Sequence, residues 1–203
     1  FKRATGFMDV VAYNGSGSAT TQAHNLGVVP ELIILKGRSG PIAFNWPIYS
    51  KSLLNTEALF LNYPDAKGNV NNTYWNSTTP TNTNFSLGSG SQVNASGGTF
   101  IAYLFASVAG VSKVGSYTGT GADLNVDCGF TAGARFILIK RTDSTGDWYT
   151  YDSARGIVAG NDPYLLLNST AAQVTNTDYI DPLNAGFTVT SSAPAGLNAS
   201  SGT

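Results

Sequence analysis

The stretch Leu32-Ile-Ile-Leu-Lys36 decides the fold class, because it recurs 104 residues later as Phe136-Ile-Leu-Ile-Lys140. An apolar run this short, opened by Pro30 and flanked by turn residues, predicts a strand that is central in its sheet or buried on both faces. Its recurrence predicts that the chain contains two copies of one β unit.

The repeat extends over nearly the whole sequence. Length changes between the copies fall in loops rich in Gly, Ser and Asn, where insertions are tolerated. We predict a first unit at 1–108, with 1–6 as a linker or the tail of a preceding unit, and a second at 109–203. The matched residues include Tyr13 with Tyr117, Trp46 with Trp148, Tyr49 with Tyr151, and Asn94-Ala-Ser96 with Asn198-Ala-Ser200.

Short strands separated by turn residues predict an all-β fold of two tandem β-sandwich units, jelly-roll-like in type. A helical turn is possible at 50–55 and at its counterpart, 153–157. The strands predicted in the first copy are 7–13, 31–36, 43–49, 56–61, 84–87 and 100–106.

The alignment places Phe1 on Phe105 and Thr203 on Thr99, so the second copy has no counterpart of Phe100-Ile-Ala-Tyr-Leu104. These apolar residues predict a core strand, and its loss would leave an open sheet edge and an exposed apolar face. We therefore expect the second unit to be truncated, with the strand supplied by a longer chain or by a partner.

Charge is scarce, with 11 Lys and Arg against 12 Asp and Glu. The sequence therefore lacks the basic surface that nucleic-acid binding requires. It also contains no apolar run of 18 residues, so membrane insertion is not predicted. The many uncharged polar residues are typical of extracellular β proteins. One cysteine, Cys128, excludes an intrachain disulfide.

Chemistry-bearing residues are few. The single histidine, His24, aligns with Cys128 and is interpreted as a turn or strand-edge residue. The segment from Asp143 to Asp147 is interpreted as a turn, with a bound divalent cation as the alternative, and Asp152 could pair with Arg155. Paired carboxylates in matching loops are lacking, so we predict no catalytic residue, metal site or cofactor, and no enzyme.

Aromatic residues that recur in both copies are interpreted as scaffold residues. Trp75 lies in an Asn-rich loop, its flanks are polar, and its counterpart differs, so we expect it to be exposed. A glycan or receptor contact is the hypothesis for this loop and its counterpart, and it comprises Trp75, Tyr74, Asn72, Asn76 and Tyr179.

Three stretches resemble a repeat found in bacteriophage tail fibre and other virion proteins: His24-Asn-Leu-Gly-Val-Val-Pro-Glu-Leu-Ile-Ile-Leu-Lys36 with Trp46 and Tyr49, Val93-Asn-Ala-Ser-Gly-Gly-Thr-Phe-Ile-Ala-Tyr-Leu-Phe105, and the residues from Gly133 to Trp148. The resemblance implies a non-enzymatic structural component of a virion tail fibre or other appendage, extracellular after release. Its implied partners are other virion proteins and copies of itself, a trimer by analogy. The alternative is a receptor-binding module for a host surface glycan, and a polysaccharide depolymerase ranks below both.

Overall fold

The computed structural model describes residues 3–41 and 45–203, which form an all-β structure of antiparallel sheets. Contacts divide the chain into two compact units: Phe1–Leu61 with Lys67–Val108, and Asn62–Ala66 with Ala109–Thr203. Residues 62–66 thus lie within the first sequence repeat but belong to the second unit. Over the described ranges, no helix is long and apolar enough to span a membrane.

The first unit is a β-sandwich of a six-stranded and a two-stranded sheet. The six strands lie in the order β1-β8-β3-β4-β5-β6, and β2 pairs with β7. The elements are β1 (Met8–Asn14), β2 (Thr20–Ala23), β3 (Leu32–Ser39), β4 (Pro47–Ser50), β5 (Glu57–Phe60), β6 (Gly68–Asn69), β7 (Asn84–Leu87), α1 (Ser91–Asn94) and β8 (Thr99–Phe105).

The core of the first unit is built around β8, which lies between β1 and β3. Its alternate residues Phe100, Ala102 and Leu104 are fully buried, as a strand with one face on the core requires. Tyr13 of β1 stacks on Phe100 with 5.3 Å between ring centroids. The prediction that 31–36 forms a central strand is confirmed, because β3 lies between β8 and β4.

The second unit has two three-stranded sheets, in the orders β10-β11-β12 and β13-β14-β9. Its buried side chains include Ile137, Ile139, Tyr151 and Phe187. The elements are β9 (Leu124–Asp127), β10 (Phe136–Lys140), β11 (Trp148–Asp152), β12 (Leu165–Leu166), β13 (Ile180–Leu183), β14 (Gly186–Val189) and α2 (Ala195–Asn198).

The two units differ at the places that β1 and β8 occupy in the first unit: among the described residues, the second unit has no strand at either place. Residues 113–120, which include the counterparts of most of β1, form no strand. Within the described part of the chain β10 pairs with β11 alone, whereas its counterpart β3 pairs on both sides. A strand without a ladder partner has no interstrand hydrogen bonds to hold it extended, which accounts for the irregular backbone of 113–120.

No helix forms at 51–55 or 153–157, but each range contains a hydrogen-bonded turn. Leu53 N donates to Ser50 O at 3.0 Å, and Gly156 N donates to Asp152 O at 3.1 Å, as in one turn of an α-helix. The short helices are α1 and α2, which occupy equivalent places in the two copies.

Candidate functional site

Trp75 is a core residue, so the expectation that it is exposed is wrong. Its side chain is 2% exposed, and its ring lies 5.8 Å from Tyr49 and 6.3 Å from Tyr74, which is also buried. The indole Nε1 donates to Glu57 O at 3.0 Å. A buried indole needs such an acceptor, and β5 supplies it.

The Asn-rich loop around Trp75 presents amide groups to solvent. Asn72 is exposed and Asn76 is half-buried. Asn71 and Asn76 have φ angles of 47° and 51°, a left-handed conformation that asparagine tolerates better than most residues. Gly88 N donates to Tyr74 O at 2.7 Å, which fixes the backbone of the loop to the residue after β7.

Tyr179, the fifth residue of the expected contact, belongs to the second unit, whereas the other four belong to the first. Its half-buried ring stacks on Tyr164 with 5.8 Å between centroids. Its backbone N donates to both carboxylate oxygens of Asp162, at 3.0 and 3.1 Å.

Asp162 is a buried carboxylate that positions the start of β13. It accepts hydrogen bonds from Tyr179 N and, at 3.0 Å, from Ile180 N. Burial, with smaller contributions from Asp178 and Asp181, raises the pKa of Asp162 to about 7 despite these hydrogen bonds. Both oxygens are occupied by backbone donors, so the geometry is that of a structural acceptor rather than of a poised base.

Lys140, at the end of β10, is a second charged residue of this unit whose pKa is shifted by burial. Burial lowers the pKa of its ammonium to about 8, although Asp65 and Asp147 act in the opposite direction. Its Nζ donates to Pro64 O at 3.0 Å and to Arg141 O at 2.7 Å. Gly146 N also donates to Pro64 O, at 2.8 Å, so this segment of the chain is fixed at two points.

His24 directly follows β2 and is buried, which confirms its interpretation as a strand-edge residue. Its Nδ1 accepts from Leu26 N at 3.2 Å, so the proton lies on Nε2, which donates to Thr81 O at 3.1 Å. At its counterpart, Cys128, burial raises the pKa of the thiol. Both side chains serve the local backbone.

Three carboxylates of the second copy have structural partners, whereas one oxygen each of Asp178 and Asp181 is buried with no hydrogen-bond partner among the described residues. Arg141 pairs with Asp143 at 2.8 Å, and this contact lowers the pKa of the Asp143 carboxyl to about 2. Asp147 accepts from Asn168 Nδ2 at 2.7 Å. The predicted pairing of Asp152 with Arg155 is confirmed at 2.7 Å. In the ranges that the structure describes, no group of three His, Cys, Asp or Glu could hold a metal ion.

A shallow groove of about 390 Å³ lies on the first unit, lined by the residues before β3 and after β4. Glu31 crosses it and pairs with Lys51 at 2.7 Å. Burial would raise the pKa of the Glu31 carboxyl, but hydrogen bonds from Lys51 and Ser107 hold it below its usual value. Val29 and Leu54 add apolar surface to the rim.

The side chain of Asn94 connects three backbone segments of the first unit, a role that the sequence alone did not predict. Its Nδ2 donates to Ser18 O at 2.7 Å and to Gly88 O at 2.9 Å. Its Oδ1 accepts from Ser16 N at 2.8 Å. We call this set of three hydrogen bonds the amide bridge of the first unit.

Asn198 forms the same amide bridge in the second unit. Its Nδ2 donates to Ala122 O and Thr190 O, each at 2.9 Å, and its Oδ1 accepts from Thr120 N at 3.0 Å. Both asparagines are buried. The recurrence of the two asparagines 104 residues apart was the only sequence signal for this role. It could not be recognised as such, because Asn-Ala-Ser triplets are also expected by composition in an Asn-rich chain.

Fold and sites together define an all-β protein of two related units whose buried polar residues hold backbone segments in place. The chain belongs to a family described as a domain of unknown function (DUF7483), whose family model matches residues 2–203. No curated protein and no solved structure matches the chain.

Proposed function

We propose that this chain is a non-enzymatic structural module of a phage virion, placed in a tail fibre or another appendage. The observation that carries the proposal is the recurrence of the amide bridge in both units, at Asn94 and Asn198. A polar residue that two diverged copies both use to hold the backbone supports a scaffold role. The assignment to a virion is based on the sequence resemblance alone.

Two of the groups with shifted pKa values support the same proposal. The carboxylate of Asp162 and the ammonium of Lys140 are each bonded to backbone groups of their own unit. A general base or nucleophile needs a free lone pair within reach of substrate, whereas these groups are engaged in holding segments together.

The proposed mechanism is geometric: rigid β units that recur along a chain space or present another part of the appendage. Fibrous virion proteins are commonly symmetric homo-oligomers, and by that analogy we propose a trimer. Sedimentation equilibrium measures the mass directly, and a monomer at micromolar concentration would contradict the trimer.

Immunogold electron microscopy tests the location. Antibodies against the purified chain are applied to particles of a virus whose genome encodes it, and we expect gold on the tail or an appendage. Antibody pre-absorbed with the chain is the control. The proposal fails if the particles remain unlabelled and mass spectrometry of purified particles finds no peptide of the chain.

A second candidate, a module that binds a host surface glycan, is favoured by the exposed Asn72 on its anchored loop. Amides are common hydrogen-bonding groups for sugar hydroxyls. On a glycan array we expect a signal that Asn72→Ala together with Asn76→Ala reduces at least tenfold. Asn14→Ala, at an exposed position outside the loop, is the matched control. A flat array for the unaltered chain would contradict this candidate.

A further inference from the structure

The groove on the first unit combines an apolar rim with a charged pair. Its volume of about 390 Å³ lies within the range of small-molecule sites, which is about 300–1,000 Å³. Tyr49, 3% exposed, lies on its buried side, and Val29 and Leu54 on its rim are 45% and 67% exposed. Glu31 and Lys51 form the charged pair.

The backbone around the charged pair is the same in both copies of the repeat. Lys51 N donates to Glu31 O at 2.8 Å, and Ser153 N donates to Arg135 O at 2.9 Å. Arg135 and Ser153 are the counterparts of Glu31 and Lys51 in the repeat alignment. The second copy therefore builds this part of the fold without the ion pair, and a pair with this exposure contributes little to stability.

The apolar rim of the groove is also confined to the first copy. The two exposed residues of the rim have glycine counterparts, Gly133 and Gly156, whereas the buried Tyr49 recurs as Tyr151. The scaffold residue is thus common to both copies, and the side chains that surround the groove are not. Side chains that converge on one groove and that the fold does not require favour a role in binding.

The charged pair has hydrogen-bonding capacity to spare. Glu31 Oε2 accepts from Ser107 N at 2.9 Å and from Ser107 Oγ, so the carboxylate is held in place. Its Oε1 accepts from Lys51 Nζ at 2.7 Å, which within the described ranges is the one side-chain hydrogen bond of Lys51. An ammonium has three donors and a carboxylate oxygen can accept twice. A ligand can therefore accept from Nζ and donate to Oε1 without breaking the pair.

Asn55 and Thr79 supply the other polar groups of the groove. Asn55 Nδ2 donates to Thr79 Oγ1 at 2.7 Å. This bond leaves Asn55 Oδ1 as an acceptor and the Thr79 hydroxyl as a donor. Together with Glu31 and Lys51, the groove offers two donors and two acceptors and has no net charge.

We infer that this groove binds a neutral saccharide. Each sugar hydroxyl both donates and accepts, so two adjacent hydroxyls match the carboxylate and the ammonium of the pair. The apolar C–H face of the ring covers Val29 and Leu54. An ion would have to compete with Glu31 or Lys51 for its partner, whereas an uncharged ligand leaves the pair intact. Such a site requires neither the virion assignment nor the Asn-rich loop around Trp75.

The test titrates the isotopically labelled full chain with glucose, galactose, mannose and N-acetylglucosamine at millimolar concentrations. By nuclear magnetic resonance we expect at least one sugar to shift the amide signals of residues 29–31 and 51–55 saturably. Because the ligand is uncharged, its affinity should change little as the salt concentration rises. The absence of a saturable shift with every one of these sugars would overturn the inference.

Matched variants locate the binding. Lys51→Ser introduces the residue of the second copy and should weaken binding at least about fivefold, because it removes a charged donor. Lys67→Ser is the control, since Lys67 pairs with Glu57 at 3.1 Å, has a side chain that is likewise 39% exposed, and does not line the groove. It should leave binding unchanged. Circular dichroism checks that both variants fold, and equal weakening by both would overturn the inference.

Two other results would also overturn it. Shifts confined to the Asn-rich loop, and abolished by Asn72→Ala together with Asn76→Ala, would place the sugar there and support the second candidate function instead. Binding of glucuronate but of no neutral sugar, with a steep loss of affinity at high salt, would show an anion site at Lys51.

Discussion

Asn94 and Asn198 show how one neutral side chain can connect three separate backbone groups. An amide has both donors and an acceptor, so it satisfies two carbonyls and one N–H that would otherwise be buried unpaired. Aspartate has the same shape but no donor when ionised, and it would add a buried charge. The amide bridge therefore requires asparagine for chemical reasons.

The first prediction concerns the amide bridge. Asn94→Ala leaves the buried Gly88 O and the partly buried Ser18 O and Ser16 N without their partner. An unpaired buried group costs about 1–3 kcal/mol. We expect the free energy of unfolding in urea to fall by at least about 2 kcal/mol. The control Asn72→Ala, at an exposed site, should change it by less than about 0.5 kcal/mol. Equal losses in the two variants would contradict the role of the bridge.

A second prediction compares two tyrosine hydroxyls of the second unit. The hydroxyl of Tyr151 is buried without a hydrogen-bond partner in the described ranges, whereas that of Tyr117 donates to Leu197 O at 2.8 Å. Removing an unpaired buried polar group is neutral or stabilising, so Tyr151→Phe should keep or raise stability. Tyr117→Phe should lower it by about 1 kcal/mol. Thermal and urea unfolding measure both, and a larger loss for Tyr151→Phe would refute the assignment.

At the scale of elements, Asp162 makes the start of β13 sensitive to pH. Its pKa is about 7 in the folded chain, against about 3.9 for an unfolded aspartate. Between these values the folded state retains a proton that the unfolded state has released. Rising pH therefore removes stability across this window, and the loss is complete above pH 7.

The third prediction follows from that sign. Asp162→Asn keeps an acceptor for Tyr179 N and Ile180 N but cannot ionise, so its unfolding free energy should decline less than that of the unaltered chain from pH 4 to pH 7. Asp143→Asn is the control, because the pKa of Asp143 is about 2 in the folded chain and about 3.9 in the unfolded chain, so Asp143 is ionised in both above pH 5. This variant should therefore retain the original slope from pH 5 to pH 7. Parallel curves for Asp162→Asn and the unaltered chain would exclude Asp162 as the source.

Strands with an apolar run or with alternating apolar residues could be predicted from the sequence, and a strand without either pattern could not. Residues 84–87 were predicted as a strand and form β7, and the run at 31–36 lies within β3 apart from its first residue. By contrast, β2 has the sequence Thr-Thr-Gln-Ala, with no apolar periodicity, and is held by pairing with β7. Such a strand depends on its partner, which flanking residues do not encode.

The candidate site also depends on contacts between residues that are distant in the sequence, which local sequence patterns do not reveal. Polar neighbours made Trp75 look exposed, but its burial depends on Tyr49 and on Glu57 O, which are distant in sequence. Of the recurrent aromatic residues, Tyr13, Tyr49, Tyr151 and Trp148 are buried, as their repetition predicted, whereas Trp46 and Tyr117 are half-buried. Repetition therefore identified most of the buried aromatic positions but not all of them.

At the scale of the whole molecule, the two units have unequal sheets, which leads to the fourth prediction. In the first unit β3 is enclosed by β8 and β4, whereas among residues 3–41 and 45–203 β10 pairs with β11 alone. We expect the second unit to unfold at lower urea than the first, and the β10 amides to exchange faster than those of β3. Hydrogen exchange with mass spectrometry measures both. Uniform protection with one cooperative transition would contradict this expectation.

Residues 62–66 belong to the first repeat in the sequence but to the second compact unit in the structure, so the repeat and the compact unit have different boundaries. A recombination event that cuts between residues 108 and 109 transfers residues 109–203 but leaves Pro64 behind. The incoming repeat would then lack the carbonyl that receives Lys140 Nζ and Gly146 N. Residues 109–203 therefore depend on a backbone carbonyl that lies more than forty positions upstream of the cut.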